Sequence, residues 1–186
     1  MRNPNKYARV EWERRFLLER FPSEAKVTRV RRIVDRYIDG TNLRLRQQTD
    51  AAGGAVFKLT QKLPADAAGA RQGLITSIYL NRDEFQLLAK LPGSMLRKVR
   101  HSVPPFGIDV FEDALTSLVL AEAEFNSAEE ASALSLPEFI VREVTEDPRF
   151  TGGELVRASR QDLEELLAEF QIRVRGGISE DGLAVR

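Results

Sequence analysis

The 186-residue chain has no cysteine, one histidine and no surplus of either charge, with 28 basic residues against 28 acidic. Without cysteine there is no disulfide framework, no thiolate zinc site and no cysteine nucleophile, and one histidine cannot build a histidine-based metal cluster. Any metal bound by this chain must therefore sit on carboxylates. The balanced charge argues against a nucleic-acid module, which usually carries a basic excess, and against an acidic disordered tail. No apolar run reaches the length needed to cross a bilayer, and the polar segment Met1 to Lys6 is not followed by the apolar stretch of a secretory leader. These absences predict a soluble, cytoplasmic protein with neither nucleic acid nor membrane as a partner. They leave the oligomeric state open.

What the chain does have is apolar mass, 42% of its residues, sufficient for one sizeable core. No internal repeat divides it. The expectation is one domain over residues 1–186, with a core at about 9–172 and a flexible tail over 173–186, and a long Ala- and Gly-rich loop from Pro64 to Gly73. Three segments carry helix signals. Asn81 with Glu84 is capping-box-like and precedes Phe85, Leu88 and Leu91; Ser127 with Glu130 opens a second helix; Ser159 starts a third, with Leu163, Leu166, Leu167 and Phe170 on one stripe.

Most of the remainder alternates as strands do: 9–18, 27–38, 43–48, 56–63, 74–80, 96–103, 107–111, 119–125 and 141–145, with Asp39-Gly40 as a hairpin turn. The predicted class is α+β, mainly β: an antiparallel sheet or closed barrel with helices packed outside.

Residues two apart on a strand share a face. Glu11, Glu13 and Arg15 therefore lie together, opposite Val10, Trp12 and Phe16. Arg44 with Arg46, Lys58 with Thr60 and Lys62, Lys98 with Arg100, and Glu122 with Glu124 make four further charged faces. A half-buried sheet turns polar residues to water in any case, but solvated faces more often mix signs and small polar residues. Recurrent same-sign pairs make sense if a multivalent anion sits between the cations and a divalent cation between the carboxylates. A closed barrel with these faces inward would gather them around one cavity. The basic run Arg29, Arg31, Arg32 and Arg36 is expected to be a solvated face, and His101, opposite Lys98 and Arg100 in register, a structural or surface histidine.

In this order the motifs resemble the CYTH superfamily, the triphosphate tunnel metalloenzymes. Glu11-x-Glu13-x-Arg15 is similar to its Glu-x-Glu-x-Lys signature. It is followed by Leu43-Arg44-Leu45-Arg46, Lys58-Leu59-Thr60-Gln61-Lys62, Arg97-Lys98-Val99-Arg100, Ile108-Asp109-Val110, Glu122-Ala123-Glu124 and Glu143-Val144-Thr145. The resemblance implies an eight-stranded antiparallel tunnel that binds a triphosphate-containing small molecule with Mg²⁺ or Mn²⁺ and hydrolyses a terminal phosphoanhydride. It implies catalytic carboxylates at Glu11, Glu13, Glu122 and Glu124, metal ligands at these four with Asp109 and Glu143, and phosphate-binding cations at Arg15, Arg44, Arg46, Lys58, Lys62, Lys98 and Arg100. Adenylate cyclase activity of the same superfamily and a non-catalytic polyphosphate-binding module are the alternatives. Two positions depart from the pattern: Arg15 stands where the family usually has lysine, and Ser117 where a glycine is expected before Leu118.

Overall fold

Alternating strands joined by tight turns close on themselves into a ring. The computed structural model describes residues 6–64 and 71–174. In chain order its elements are β1 (Arg9–Leu18), β2 (Arg29–Ile38), β3 (Leu43–Asp50), β4 (Ala55–Pro64), β5 (Arg71–Leu80), α1 (Arg82–Leu88), β6 (Gly93–Val103), β7 (Phe106–Phe111), β8 (Val119–Phe125), α2 (Ala128–Ser132), β9 (Arg142–Glu143), α3 (Gly152–Leu155) and α4 (Arg160–Glu169). The sheet order is β5-β4-β3-β2-β6-β7-β8-β1, and β5 pairs back onto β1, so eight antiparallel strands form a closed barrel. Closure removes the exposed strand edges that an open sheet would present. The ninth strand, β9, adds two residues beside Phe16 and Leu17 of β1.

The turns follow from local chemistry. Gly40 supplies the positive φ, +68°, that the β2–β3 turn requires, and the Asp50 carboxylate accepts hydrogen bonds from the backbone N–H groups of Ala52 and Gly54. Asn81 and Ser159 cap α1 and α4 in reciprocal capping boxes with Glu84 and Asp162, and the Ser127 hydroxyl accepts from Glu130 N–H at the start of α2. Ser117 adopts φ 90°, in the region that favours glycine. The family's glycine at this position thus has a backbone reason.

Two expectations change. Pairing of Pro64 with Gly73 carries β4 and β5 into the segment expected to be a loop; of that loop, residues 65–70 lie outside the described residues, as do 175–186 of the expected tail. The strand expected over 141–145 shrinks to β9, while Val141 N–H and Val144 N–H still donate to the carbonyls of Leu17 and Arg15.

Apolar packing occupies two places. Outside the wall, Phe16, Phe106, Ile108, Val119, Ala121 and Ala123 pack against Phe125, Leu134, Phe139 and Ile140. The other cluster joins Leu17, Leu96, Phe111 and Leu120, whose strand register points them into the barrel, to Leu155, Leu163, Leu166 and Leu167 of α3 and α4. The C-terminal helices therefore close one end of the lumen rather than only covering the wall. Among the described residues no helix is long and apolar enough to cross a membrane.

Candidate active site

Register fixes what faces the lumen. Across β1 and β8, Arg15 stands opposite Glu122 and Glu13 opposite Glu124; across β6 and β7, Arg100 stands opposite Asp109; across β3 and β4, Arg46 stands opposite Lys58 and Arg44 opposite Thr60. Of the thirteen residues predicted from the sequence, twelve share this inward register: Glu11, Glu13, Arg15, Arg44, Arg46, Lys58, Lys62, Lys98, Arg100, Asp109, Glu122 and Glu124. The exception is Glu143.

The acids and bases interleave. Arg15 Nε donates to Glu13 Oε1 at 2.8 Å, with both side chains buried. Lys62 Nζ lies 2.9 Å from each carboxylate oxygen of Glu11. This contact passes over β5, and it is open because Gly73, opposite Glu11, has no side chain there. Arg100 makes two bonds of 2.6 Å to Asp109 and a third to Glu122, while Lys98 also donates to Asp109. A Cβ on Gly107 would stand 3.2 Å from Arg100 Cδ, so the bare glycine lets the guanidinium lie flat and reach β8. Lys58 is half-buried and Glu124 exposed, which places both toward the open end.

These contacts leave a charge asymmetry among the acids. Burial raises the Glu13 pKa, and the neighbouring Glu122 and Glu11 charges add to this against the pull of Lys62 and Arg15. Burial works in the same direction on Glu122, but Lys98, Arg100 and Arg15 outweigh it and hold the group well below the usual carboxylate range.

Three lumen residues were not expected. Asp35, 1% exposed, accepts from Arg46 Nε and Nη2 at 2.6 and 2.7 Å and lies 3.8 Å from Arg44 Nε. Despite burial, the two arginines hold its carboxyl below the ordinary aspartate range. Next on the same face, Tyr37 is pushed up to about 12 by burial and by Asp35. Arg31 belongs here as well, donating to Ser102 Oγ at 2.8 Å; burial and then the charges of Arg29, Arg100 and Arg46 lower its pKa. The arginine run expected to be one solvated face is instead split by alternation, with Arg32 and Arg36 outside. The face was legible in the sequence, since Asp35 and Tyr37 lie two apart on one strand; their partners follow from a turn over residues 39–42, which pairs Asp35 with Arg46 and Tyr37 with Arg44.

Glu143 corrects the predicted set. It pairs with Phe16 on the outward register of β1, accepts from Arg14 Nε and Nη2 at 2.8 and 2.6 Å, and lines an outer groove with Arg142, Thr145 and Asp147. The wall of the barrel separates it from the other acids. His101 is outside too, its ring 4.6 Å from that of Phe21, as a packing role requires. Among the described residues no three Asp, Glu or His side chains stand at metal-ligand spacing; Glu11, Glu13, Asp109 and Glu122 are each turned onto a cation.

Comparison with known proteins bears on this arrangement. The chain is 33% identical over 149 residues to an inorganic triphosphatase of Nitrosomonas europaea, spanning 76% of this chain and 93% of that protein. A crystal structure of an inorganic triphosphatase superposes with a TM-score of 0.52 at 26% identity, covering 80% of this chain and 95% of the other. A second crystal structure, of a protein described as hypothetical, gives 0.53 at 28% identity and covers 80% and 99%. No family model matches the chain.

Proposed function

The chain belongs to the CYTH superfamily of triphosphate tunnel enzymes, and we propose that it is a divalent-metal-dependent triphosphatase that hydrolyses the terminal phosphoanhydride of inorganic triphosphate. The observation that carries this reading is that like charges oppose one another inside one lumen, basic against basic and acidic against acidic. Arg31 stands directly opposite Arg100, and Glu13 directly opposite Glu124. Like charges facing each other on paired strands destabilise a sheet. A polyphosphate relieves the first opposition and a divalent cation the second, and a metal-bound triphosphate brings both.

Arg15, Arg44, Arg46, Lys58, Lys62, Lys98 and Arg100 would receive the phosphate oxygens, the arginines through planar forks and the lysines as point charges. Glu11, Glu13, Glu122 and Glu124, with Asp109, would hold the metal. The donor set fits a hard cation such as Mg²⁺ or Mn²⁺, since every donor is a carboxylate oxygen. The raised pKa of Glu13 marks a carboxylate whose charge is under-compensated, which is what such a cation corrects. When bound, the metal supplies charge neutralisation and acidifies the attacking water.

The chain's own residues do the positioning. Binding turns Arg100, Lys98 and Lys62 from carboxylate to phosphate, so cations that neutralise the lumen acids also balance charge on the transferring phosphoryl group. Asp35 holds the Arg46 fork in place while this occurs. Arg15 remains protonated at any working pH and so orients without acting as a base. The leucine-lined base excludes water from the end of the lumen.

The test is phosphate release from inorganic triphosphate by purified protein with Mg²⁺ or Mn²⁺, alongside Glu122→Gln. Turnover should appear with metal and fall by about a hundred-fold in the variant, the usual effect of deleting one charge-stabilising group. Absence of turnover with either metal would sink the hydrolase reading.

A further inference from the structure

One row of directly opposed residues climbs across the barrel wall from the sealed end of the lumen to its mouth. Its register runs Leu96 on β6, Asp35 on β2, Arg46 on β3, Lys58 on β4 and Tyr79 on β5. Exposure rises along it. Leu96 and Asp35 are buried, the Arg46 side chain is 12% exposed, Lys58 is half-buried and Tyr79 is 72% exposed. Because strands tilt in a closed barrel, a row perpendicular to them is a staircase.

Tyr79 thus has the same inward register as the cations yet stands at the rim. Its neighbours below it on the β4 and β5 faces are Thr60 and Ser77, whose hydroxyls are 2.9 Å apart. Lys58 Nζ lies 5.0 Å from the centre of the tyrosine ring, a cation–π contact. The phosphate-binding row therefore ends in a large, solvent-exposed aromatic face that a lysine of the row already covers. A buried phenol would serve packing; this one is exposed.

Resting on the part of that reading that makes the lumen a triphosphate-binding site, we infer that Tyr79 is a specificity residue for organic triphosphates, stacking the planar base of a nucleoside triphosphate while the phosphates occupy the lumen. The spacing suits this. Arg46 and Tyr79 are two strands apart, roughly 10 Å across the sheet, so a phosphate held at Arg46 leaves room for a sugar before the ring. When Lys58 turns to phosphate it uncovers the tyrosine face for the base. Inorganic triphosphate has nothing to place there. The residue therefore separates two substrates that share every phosphate contact.

Calorimetry with ATP and with inorganic triphosphate, on wild-type protein and Tyr79→Ala, tests this without requiring turnover. The loss of ATP affinity in the variant should exceed that of inorganic triphosphate by about ten-fold, within the range found for removing one base-stacking aromatic. Tyr79→Trp, with a larger stacking face, should hold or strengthen ATP binding, and it carries the test if the alanine variant does not fold. Equal losses for the two compounds, no loss for ATP, or a wild-type protein that binds inorganic triphosphate but not ATP would each overturn the assignment. Binding with no phosphate release would remove the hydrolase reading and leave this one standing.

Discussion

The two halves of the barrel interior are built on the same strands and differ completely in character. On β1 the inward face runs Glu11, Glu13, Arg15 and then Leu17; on β8 it runs Glu124, Glu122 and then Leu120; on β6, Arg100, Lys98 and then Leu96; on β7, Asp109 and then Phe111. Within two residues on each of these four strands, ion pairs give way to a leucine-rich base sealed by α3 and α4. The upper half holds buried charges whose desolvation is costly even when they are paired. The lower half supplies apolar burial that offsets this cost. Chemistry and stability are thus stacked along one axis instead of being shared by every residue.

Asp35 lies on the boundary, with Leu96 beside it in register and two arginines bound to it. Asp35→Ala should be the most damaging change, because it leaves Arg44 and Arg46 largely buried without their counter-charge, at about 3–5 kcal/mol of stability. Denaturant unfolding measures this, and added inorganic triphosphate should restore part of the loss by supplying negative charge at the same place. A loss below about 1 kcal/mol, the range of an exposed pair, would mean that the two halves are not coupled at Asp35.

Leu167→Ala should strike the lower half alone. The side chain is fully buried in the sealing cluster, and truncation should cost about 2–5 kcal/mol. Because Leu167 belongs to the apolar sealing cluster, KM for triphosphate in protein that remains folded should stay within about two-fold, well under the factor of ten that 1.4 kcal/mol of binding represents. A large rise in KM would show that the base shapes the phosphate site directly.

The smallest expected effect is on pH dependence in the upper half. Burial and Glu122 raise the pKa of Glu13 in the folded protein, so its contribution to stability is complete at pH values below its unfolded pKa and is lost as pH rises through the folded one. Glu13→Gln removes this proton equilibrium. Thermal unfolding without ligand should then decline less between mildly acidic and neutral pH than in wild type. Identical pH profiles would place the acid imbalance elsewhere.

Much of this site was legible in the sequence because face is a local property. Two-residue alternation put twelve of the thirteen predicted residues on inward registers, with no knowledge of their neighbours. Glu143 failed for a related reason. Its strand is only two residues long, too short for alternation to mark a face, and its side is decided by pairing with Phe16. Asp35 and Tyr37 were missed because a mixed run, Arg31-Arg32-Ile33-Val34-Asp35-Arg36-Tyr37, hides its alternation under a dense positive charge. Tyr79 was missed because exposure at a rim is a matter of height, and alternation says nothing of height.

The sequence by itself determined the eight barrel strands, the face of twelve charged residues, the helix caps and that any metal bound must sit on oxygen, since each depends on residue type and spacing over a few positions. The equal count of 28 acids and 28 bases also has its explanation there, in strands that carry both signs. Only the tertiary structure decided which acid meets which base, that glycines at 73 and 107 open the way for Lys62 and Arg100, that Glu143 stands outside the wall, and that the C-terminal helices seal one end. These depend on barrel closure and strand tilt, which bring together residues more than a hundred positions apart in the chain and are encoded in no single segment of it.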